Sequence, residues 1–205
     1  MIKTIVLDIG MVLVDFPWKK YLESFGFSSE KEEKIIQAVF EHPNWNEFDR
    51  GVLTDEEIIS LFCQGVPDCE QEIRTIFAGS VEQMIAEYPF AASWVQELKG
   101  LGYQVLLLSN FGDTLFNRVD FGFLPYVDGG IISYRVKCIK PDSKIYHILM
   151  EEYGLTGEEI LFLDDNPANI KAAAAEGWNT IWSLDHKTAL EGLEAYGIVC
   201  NAGRE

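Results

Sequence analysis

Three short, unbroken apolar runs constrain the fold more than any other feature of the chain: Ile5-Val6-Leu7, Val105-Leu106-Leu107-Leu108 and Ile160-Leu161-Phe162-Leu163. Apolarity without alternation suits strands covered on both faces, as in a parallel sheet; a strand with one wet face alternates instead. Helical patterns separate and follow the runs. Ala91 to Leu101 stops before Gly102, Ser143 to Tyr153 stops before Gly154, and Pro167 to Glu176 opens on proline and stops before Gly177. Proline fits a helix's first turn and glycine the left-handed residue past its end. A further strand is expected at Thr180-Ile181-Trp182. Strand and helix in alternation predict an α/β fold with a doubly wound parallel sheet, Rossmann-like, with right-handed crossovers.

Between Pro17 and Tyr88 the alternation stops, and the segment offers helices with no strand between them. Ser29 is placed to cap Glu30 to Phe40, with Glu32 at the capping-box position. Thr54 and Glu57 form a second box ahead of Ile58 to Cys63, and Asp68 is placed to cap a helix through Ile73, Ile76 and Phe77. The expected organisation is an all-helical cap domain, residues 17–88, inserted into an α/β core made of residues 1–16 and 89–205.

Against 16 Lys and Arg stand 33 Asp and Glu, a net charge of −17, which disfavours nucleic acid and anionic membranes as partners. An anionic substrate would need a local positive site built against that field. No apolar run approaches the ~20 residues of a membrane span, and Lys3 and Asp8 interrupt the start of the chain where a signal peptide needs its apolar stretch. Cys63, Cys69, Cys138 and Cys200 form no Cys-x-x-Cys pair, so buried thiols in a reducing compartment, the cytoplasm, are expected.

Each apolar run ends in polar residues: Asp8, then Ser109-Asn110, then Asp164-Asp165-Asn166. In an open parallel sheet the carboxyl ends of the strands form the ligand crevice, so these groups are expected to converge across the sequence. Lys140, ahead of Pro141 and Asp142 where a helix begins, can bring the required positive charge to the same place. The chain has no Gly-x-Ser-x-Gly elbow and no phosphate-binding Gly-x-x-x-x-Gly-Lys loop, which makes Ser109 a poor nucleophile candidate.

The order of these motifs resembles the haloacid dehalogenase superfamily. Asp8-Ile9-Gly10-Met11-Val12-Leu13-Val14-Asp15 is similar to the first family motif, Leu107-Leu108-Ser109-Asn110 to the second and Lys140-Pro141-Asp142-Ser143-Lys144-Ile145-Tyr146 to the third. Phe162-Leu163-Asp164-Asp165-Asn166-Pro167-Ala168-Asn169-Ile170 is similar to the fourth. Asp8-x-Gly10 and the segment Trp45-Asn46-Glu47-Phe48-Asp49-Arg50-Gly51-Val52-Leu53-Thr54 look closest to the small sugar-phosphate phosphatases related to alpha-D-glucose-1-phosphate phosphatase.

The resemblance implies a Mg2+-dependent phosphatase of small phosphorylated metabolites, acting through an aspartyl phosphate on Asp8. It implies Mg2+ held by Asp8, the Gly10 carbonyl, Asp164 and Asp165, and a phosphoryl group held by Ser109, Lys140 and backbone amides near Met11 and Asn110. A monomer or homodimer is expected. The chain departs from the family pattern at Gly10, where a second aspartate would act as general acid and base. Three readings follow: a leaving group that needs little protonation, such as an anomeric sugar phosphate; a substitute acid and base in Asp49 or Asp15; or a phosphometabolite-binding protein without turnover. The family's carbon–halogen hydrolases are disfavoured by Asp164-Asp165, since adjacent carboxylates facing Asp8 with no cation would repel.

Phe16, Trp18, Trp45 and Phe48 either line a pocket between cap and core or form the hydrophobic core of the cap. Arg50 can meet a substrate or pair with a nearby acid. His42, His147 and His186 have no catalytic or metal-spaced partner and read as structural.

Overall fold

The apolar runs become the three central strands of a parallel sheet. In the computed structural model of the chain, which describes residues 1–204, β1 (Thr4–Leu7), β4 (Gln104–Ser109) and β6 (Ile160–Asp164) are flanked by β5 (Gly129–Ile132) and β7 (Asn179–Trp182) in the order β5-β4-β1-β6-β7. All neighbours are parallel, with Leu7 level with Leu107 on one side and Leu163 on the other. Alternate residues of β1 face different layers, and both layers are dry. Ile5 and Leu7 pack with Leu107, Leu161 and Leu163, while Val6 packs with Leu106, Leu108 and Phe162.

Helices cover both faces, which makes the sheet doubly wound. α6 (Ala91–Gly100) and α11 (His186–Ala195) bring Trp94, Leu98 and Leu193 to the Leu7 side. α9 (Ser143–Tyr153) and α10 (Pro167–Ala175) bring Ile145, Tyr146 and Ala173 to the Val6 side. Burying side chains of this size stabilises by about 1.5–3 kcal/mol each, so the sheet is the rigid frame on which the site is mounted. The chain steps from β1 outward to β4 and β5 and then returns to β6, so the crevice between β1 and β6 is the topological switch point.

Beyond β1, Val14–Asp15 (β2) pairs antiparallel with Ala86–Glu87 (β3), joining the entry and exit of the segment between them. That segment holds α1 (Trp18–Glu23), α2 (Ser29–Ile35), α3 (Trp45–Arg50), α4 (Asp55–Gln64) and α5 (Glu70–Ala78). β3 therefore corrects the expectation of a region without strands; a two-residue pair leaves no periodicity to read. Two caps also differ. Ser28, extended at φ −67°, ψ 149°, caps α2 in place of Ser29 and accepts from the Lys31 amide at 3.4 Å. Asp68 sits inside a 3₁₀ turn, Pro67–Cys69, and its carboxylate pairs with Lys34 at 2.8 Å instead of capping α5. The Thr54–Glu57 box forms as expected, with the Thr54 amide donating to Glu57 at 2.8 Å. The four cysteines are buried and free. Among the described residues no helix is long and apolar enough to cross a membrane.

Two glycines fix how the pieces meet. A Cβ on Gly130, at φ +142°, would lie 2.3 Å from the Leu107 carbonyl oxygen, so glycine lets β5 close on β4. Gly51, at φ +64°, ends α3 where a Cβ would lie 2.7 Å from Cβ of Tyr134 in α8 (Ser133–Val136). Ser133 Oγ donates to the Asp49 carbonyl at 2.7 Å across the same contact, seating the end of α3 on the core.

Candidate active site

The carboxyl ends of β1, β4 and β6 bring together side chains 101 and 156 positions apart, counted from Asp8 to Ser109 and from Asp8 to Asp164. Lys140 Nζ lies 2.9 Å from Asp8 Oδ1 and 2.6 Å from Asp164 Oδ2, and all three residues are buried. Asp164 is held further by the Asn166 amide at 2.8 Å and by Asn169 Nδ2 at 3.0 Å and 3.1 Å. Asn110 fixes Lys140 from the other side: its side-chain oxygen accepts from the Lys140 amide at 2.7 Å, and its Nδ2 donates to the Lys140 carbonyl at 2.9 Å. The lysine is thus pinned by backbone and side chain before any ligand arrives.

Asp8, Gly10, Met11, Ser109, Asn110 and Asp165 all border one cavity of about 400 Å³. Lys140 and Asp164 are buried behind Asp8 and do not line it. Met11 takes a left-handed backbone, φ 57°, in the turn that swings the chain from β1 to β2, and its amide donates to the Val14 carbonyl at 2.7 Å. That bond occupies the Met11 amide expected for phosphate. The Ser109 hydroxyl favours the charged form of Asp8.

Burial, and then the crowding of charge, shapes the floor. Burial pushes the Asp8 carboxyl up to about 7, with Lys140 opposing and the Asp164 charge adding to the rise. Burial and Asp164 likewise raise Asp165. Burial alone would lower Lys140, but the charges of Asp164 and Asp8 outweigh it and raise its pKa. Asp8, Asp164 and Asp165 each present a carboxylate oxygen, the three within 4.8 Å of one another, so one lysine serves a cluster of three acids. A hard divalent cation, which prefers carboxylate and carbonyl oxygens, fits that donor set and relieves its repulsion.

Asp49, at the end of α3, borders the same cavity and faces Asp8. Burial and the Asp8 charge push its carboxyl up to about 8, against a hydrogen bond from the Gly112 backbone. Folded Asp8 and Asp49 both bind their proton more tightly than at the ordinary value of 3.8, so their stabilising contribution is complete below about pH 4 and is lost as pH rises through about 7 and about 8. Without metal, the melting temperature of Asp49→Asn should therefore rise relative to the parent protein as pH goes from about 5.5 to about 8.5. A difference that stays constant over that range contradicts the assignment.

Of the four aromatics, Phe16, Trp18 and Trp45 border the cavity while also packing on the core, and Phe48 does not border it: it is buried against Trp45 and Phe77, at centroid distances of 5.3 Å and 6.0 Å. Arg50 pairs with Glu47 at 3.3 Å. His147 pairs with Glu176, and His186 stacks on Phe90, away from the cavity. Four contributors carry no signal in the sequence. Asn169 lies in the fourth motif but gives no sign that it grips Asp164. Phe111 and Leu115 follow β4 and wall the cavity. Ser133, which anchors Asp49, stands in no motif.

Comparison with known proteins places this geometry among relatives. A family model for haloacid dehalogenase-like hydrolases matches residues 2–177. Acyl-CoA dehydrogenase family member 10 of Mus musculus is 26% identical over 207 residues, covering 94% of this chain, but the chain spans only 19% of that protein's length. Enolase-phosphatase E1 of Sulfurihydrogenibium sp. is 25% identical over 204 residues, covering 88% of this chain and 87% of the relative. In structure, a HAD-family enzyme of Bacteroides thetaiotaomicron, solved with magnesium and inorganic phosphate, superposes with a TM-score of 0.69 at 20% identity over 100% of this chain and 97% of the other. The L-2-haloacid dehalogenase of Xanthobacter autotrophicus superposes with a TM-score of 0.65 at 18% identity, over 98% of this chain and 85% of the other. With the family model covering most of its length and the fold shared, this chain belongs to the haloacid dehalogenase-like hydrolases.

Proposed function

We propose that the protein is a Mg2+-dependent phosphatase of small phosphorylated metabolites, with the helical segment 17–88 acting as a cap over the site. The observation that carries this reading is the Asp8 carboxylate on the cavity floor, with Lys140 at 2.9 Å and three acidic side chains converging where one cation would sit. In the first half-reaction an Asp8 oxygen attacks phosphorus, the bond from phosphorus to the substrate oxygen breaks, and that oxygen takes a proton. In the second, water attacks the aspartyl phosphate, inorganic phosphate leaves, and Asp8 is restored. Asp8, the Gly10 carbonyl, Asp164 and Asp165 would hold Mg2+, which supplies charge neutralisation on the phosphoryl oxygens. Ser109, Lys140 and the Asn110 backbone orient the phosphoryl group.

Asp49 supplies the proton relay that Gly10 lacks. It faces Asp8 from the cavity wall, and burial keeps its carboxyl protonated near neutral pH, so it can give a proton to the leaving oxygen and take one from the attacking water. Asp15 is the weaker candidate: it sits on β2, with its carboxylate accepting from the Phe16 amide at 2.8 Å. The resemblance to alpha-D-glucose-1-phosphate phosphatases favours sugar phosphates, and a cavity of about 400 Å³ accommodates one. A dehalogenase, which works without a metal, is disfavoured because Asp8, Asp164 and Asp165 crowd one another and repel with no cation between them.

Phosphate release from an aryl phosphate and a panel of sugar phosphates, with Mg2+ and with chelator, tests the reading. Release that requires Mg2+ supports it; a folded protein with no release supports ligand binding alone. Gly10 allows a finer test, because a Cβ there meets nothing within 4 Å and its backbone is not in the left-handed region. Gly10→Asp should therefore fit and restore turnover of alkyl phosphates in an Asp49→Asn background. No restoration in a folded double variant contradicts the relay.

A further inference from the structure

Beyond the phosphoryl site, the cavity walls have a one-sided composition. Phe16, Trp18, Trp45, Ile85, Phe111 and Leu115 provide apolar surface. The titratable residues on the walls are all acidic: Asp15, Asp165 and Asp49, whose carboxyl is held protonated near neutral pH. Among the described residues that border the cavity there is no Lys, Arg or His. Lys140 is buried and already paired with Asp8 and Asp164, and Arg50 is paired with Glu47. Lys19 lies 5.2 Å from the Trp18 ring centroid but is exposed and does not border the cavity.

The apolar wall is fixed by its own packing. Trp18 stacks on Phe40 at 4.5 Å, and Trp45 is wedged by Phe16 at 5.7 Å and Phe48 at 5.3 Å. Neither ring can turn away to admit solvent around a charged group without breaking those contacts. A substrate whose leaving group carries its own carboxylate or second phosphate would therefore place an anion beside Asp15 and the apolar rings, with no basic side chain on the walls to meet it.

Resting on the phosphatase reading, we infer that the cavity selects phosphate monoesters whose leaving group is uncharged and presents an apolar face to Trp18 and Trp45. Aryl and alkyl alcohols qualify, as does a neutral sugar through its carbon face. Sugar acids, phosphoglycerate-like acids and bisphosphates do not.

The test compares 4-carboxyphenyl phosphate with the phosphate of its methyl ester, which has nearly the same shape and differs by one charge. The methyl ester should show a kcat/KM higher by about 10-fold or more, chiefly through KM, and the gap should shrink in high salt and in Asp15→Asn. Because each protein supplies its own ratio, a general loss of activity in the variant cancels. Equal kcat/KM for the two esters, with turnover intact, overturns the selectivity and leaves the phosphatase reading standing. If neither ester turns over, the phosphatase reading fails, and binding of the two to Asp8→Asn by calorimetry decides the selectivity: tighter binding of the methyl ester supports it and equal binding overturns it.

Discussion

Asp8→Asn should abolish phosphate release, a loss on the order of 10⁴-fold or more, while leaving a folded and more stable protein. Asparagine matches the shape of aspartate but has no anionic oxygen to attack phosphorus. The same change removes one of three crowded acids whose burial and mutual repulsion hold Asp8 up at about 7. Lys140 keeps its 2.6 Å partner in Asp164, so no charge is left alone in the floor. Activity and metal-free stability should thus move in opposite directions, read by phosphate assay and thermal melting near neutral pH. Turnover within about 10-fold of the parent in a folded variant would remove Asp8 from the nucleophile's role. A variant that melts lower would show that Asp8 contributes more to the fold through Lys140 than it costs through crowding.

Asp49→Asn should produce the second large effect, and its dependence on the leaving group carries the information. General acid catalysis is worth about 10²–10⁴-fold when the departing oxygen is a poor leaving group and much less when it is a good one. Turnover of an alkyl phosphate should fall by about that factor, while that of a nitrophenyl phosphate should fall far less in its first half-reaction, best read as a burst of nitrophenol. Since the Asp49 carbonyl is anchored by Ser133 and α3 ends against α8, the substitution leaves the backbone in place. An equal loss on both substrates would mean that Asp49 shapes the site without moving a proton.

What could be read from the sequence follows what neighbouring residues can encode. Buried parallel strands announce themselves as runs such as Leu106-Leu107-Leu108, and the polar residues that end the runs converge because sheet topology leaves them nowhere else to go. Lys140 was legible for a related reason, as a cation heading a helix near the same strand ends. β5 was missed because Gly129-Gly130 reads as a turn, and only the approach of Leu107 explains why glycine stands in a strand there. The cap of α2 falls one residue before the expected Ser29, on Ser28, whose backbone is extended. Asp49 and Asp15 were equivalent in sequence; the nearness of Asp49 to Asp8 separates them, and that depends on how α3 meets α8 across 82 residues, from Gly51 to Ser133. The Asn169 grip on Asp164 and the Ser133 anchor belong to the same category, contacts between positions that no local pattern joins.

The central claim is that the substrate's phosphoryl group passes through a bond to Asp8. Rapid acid quench during turnover of a labelled phosphate ester, followed by tryptic digestion, tests it most directly. Cleavage after Lys3 and Lys19 releases Thr4–Lys19, the peptide that carries Asp8. Label on that peptide, released by hydroxylamine as an acyl phosphate is and absent in Asp8→Asn, is the predicted result. Phosphate release with no label on any peptide at early times, or label that persists in Asp8→Asn, would contradict it.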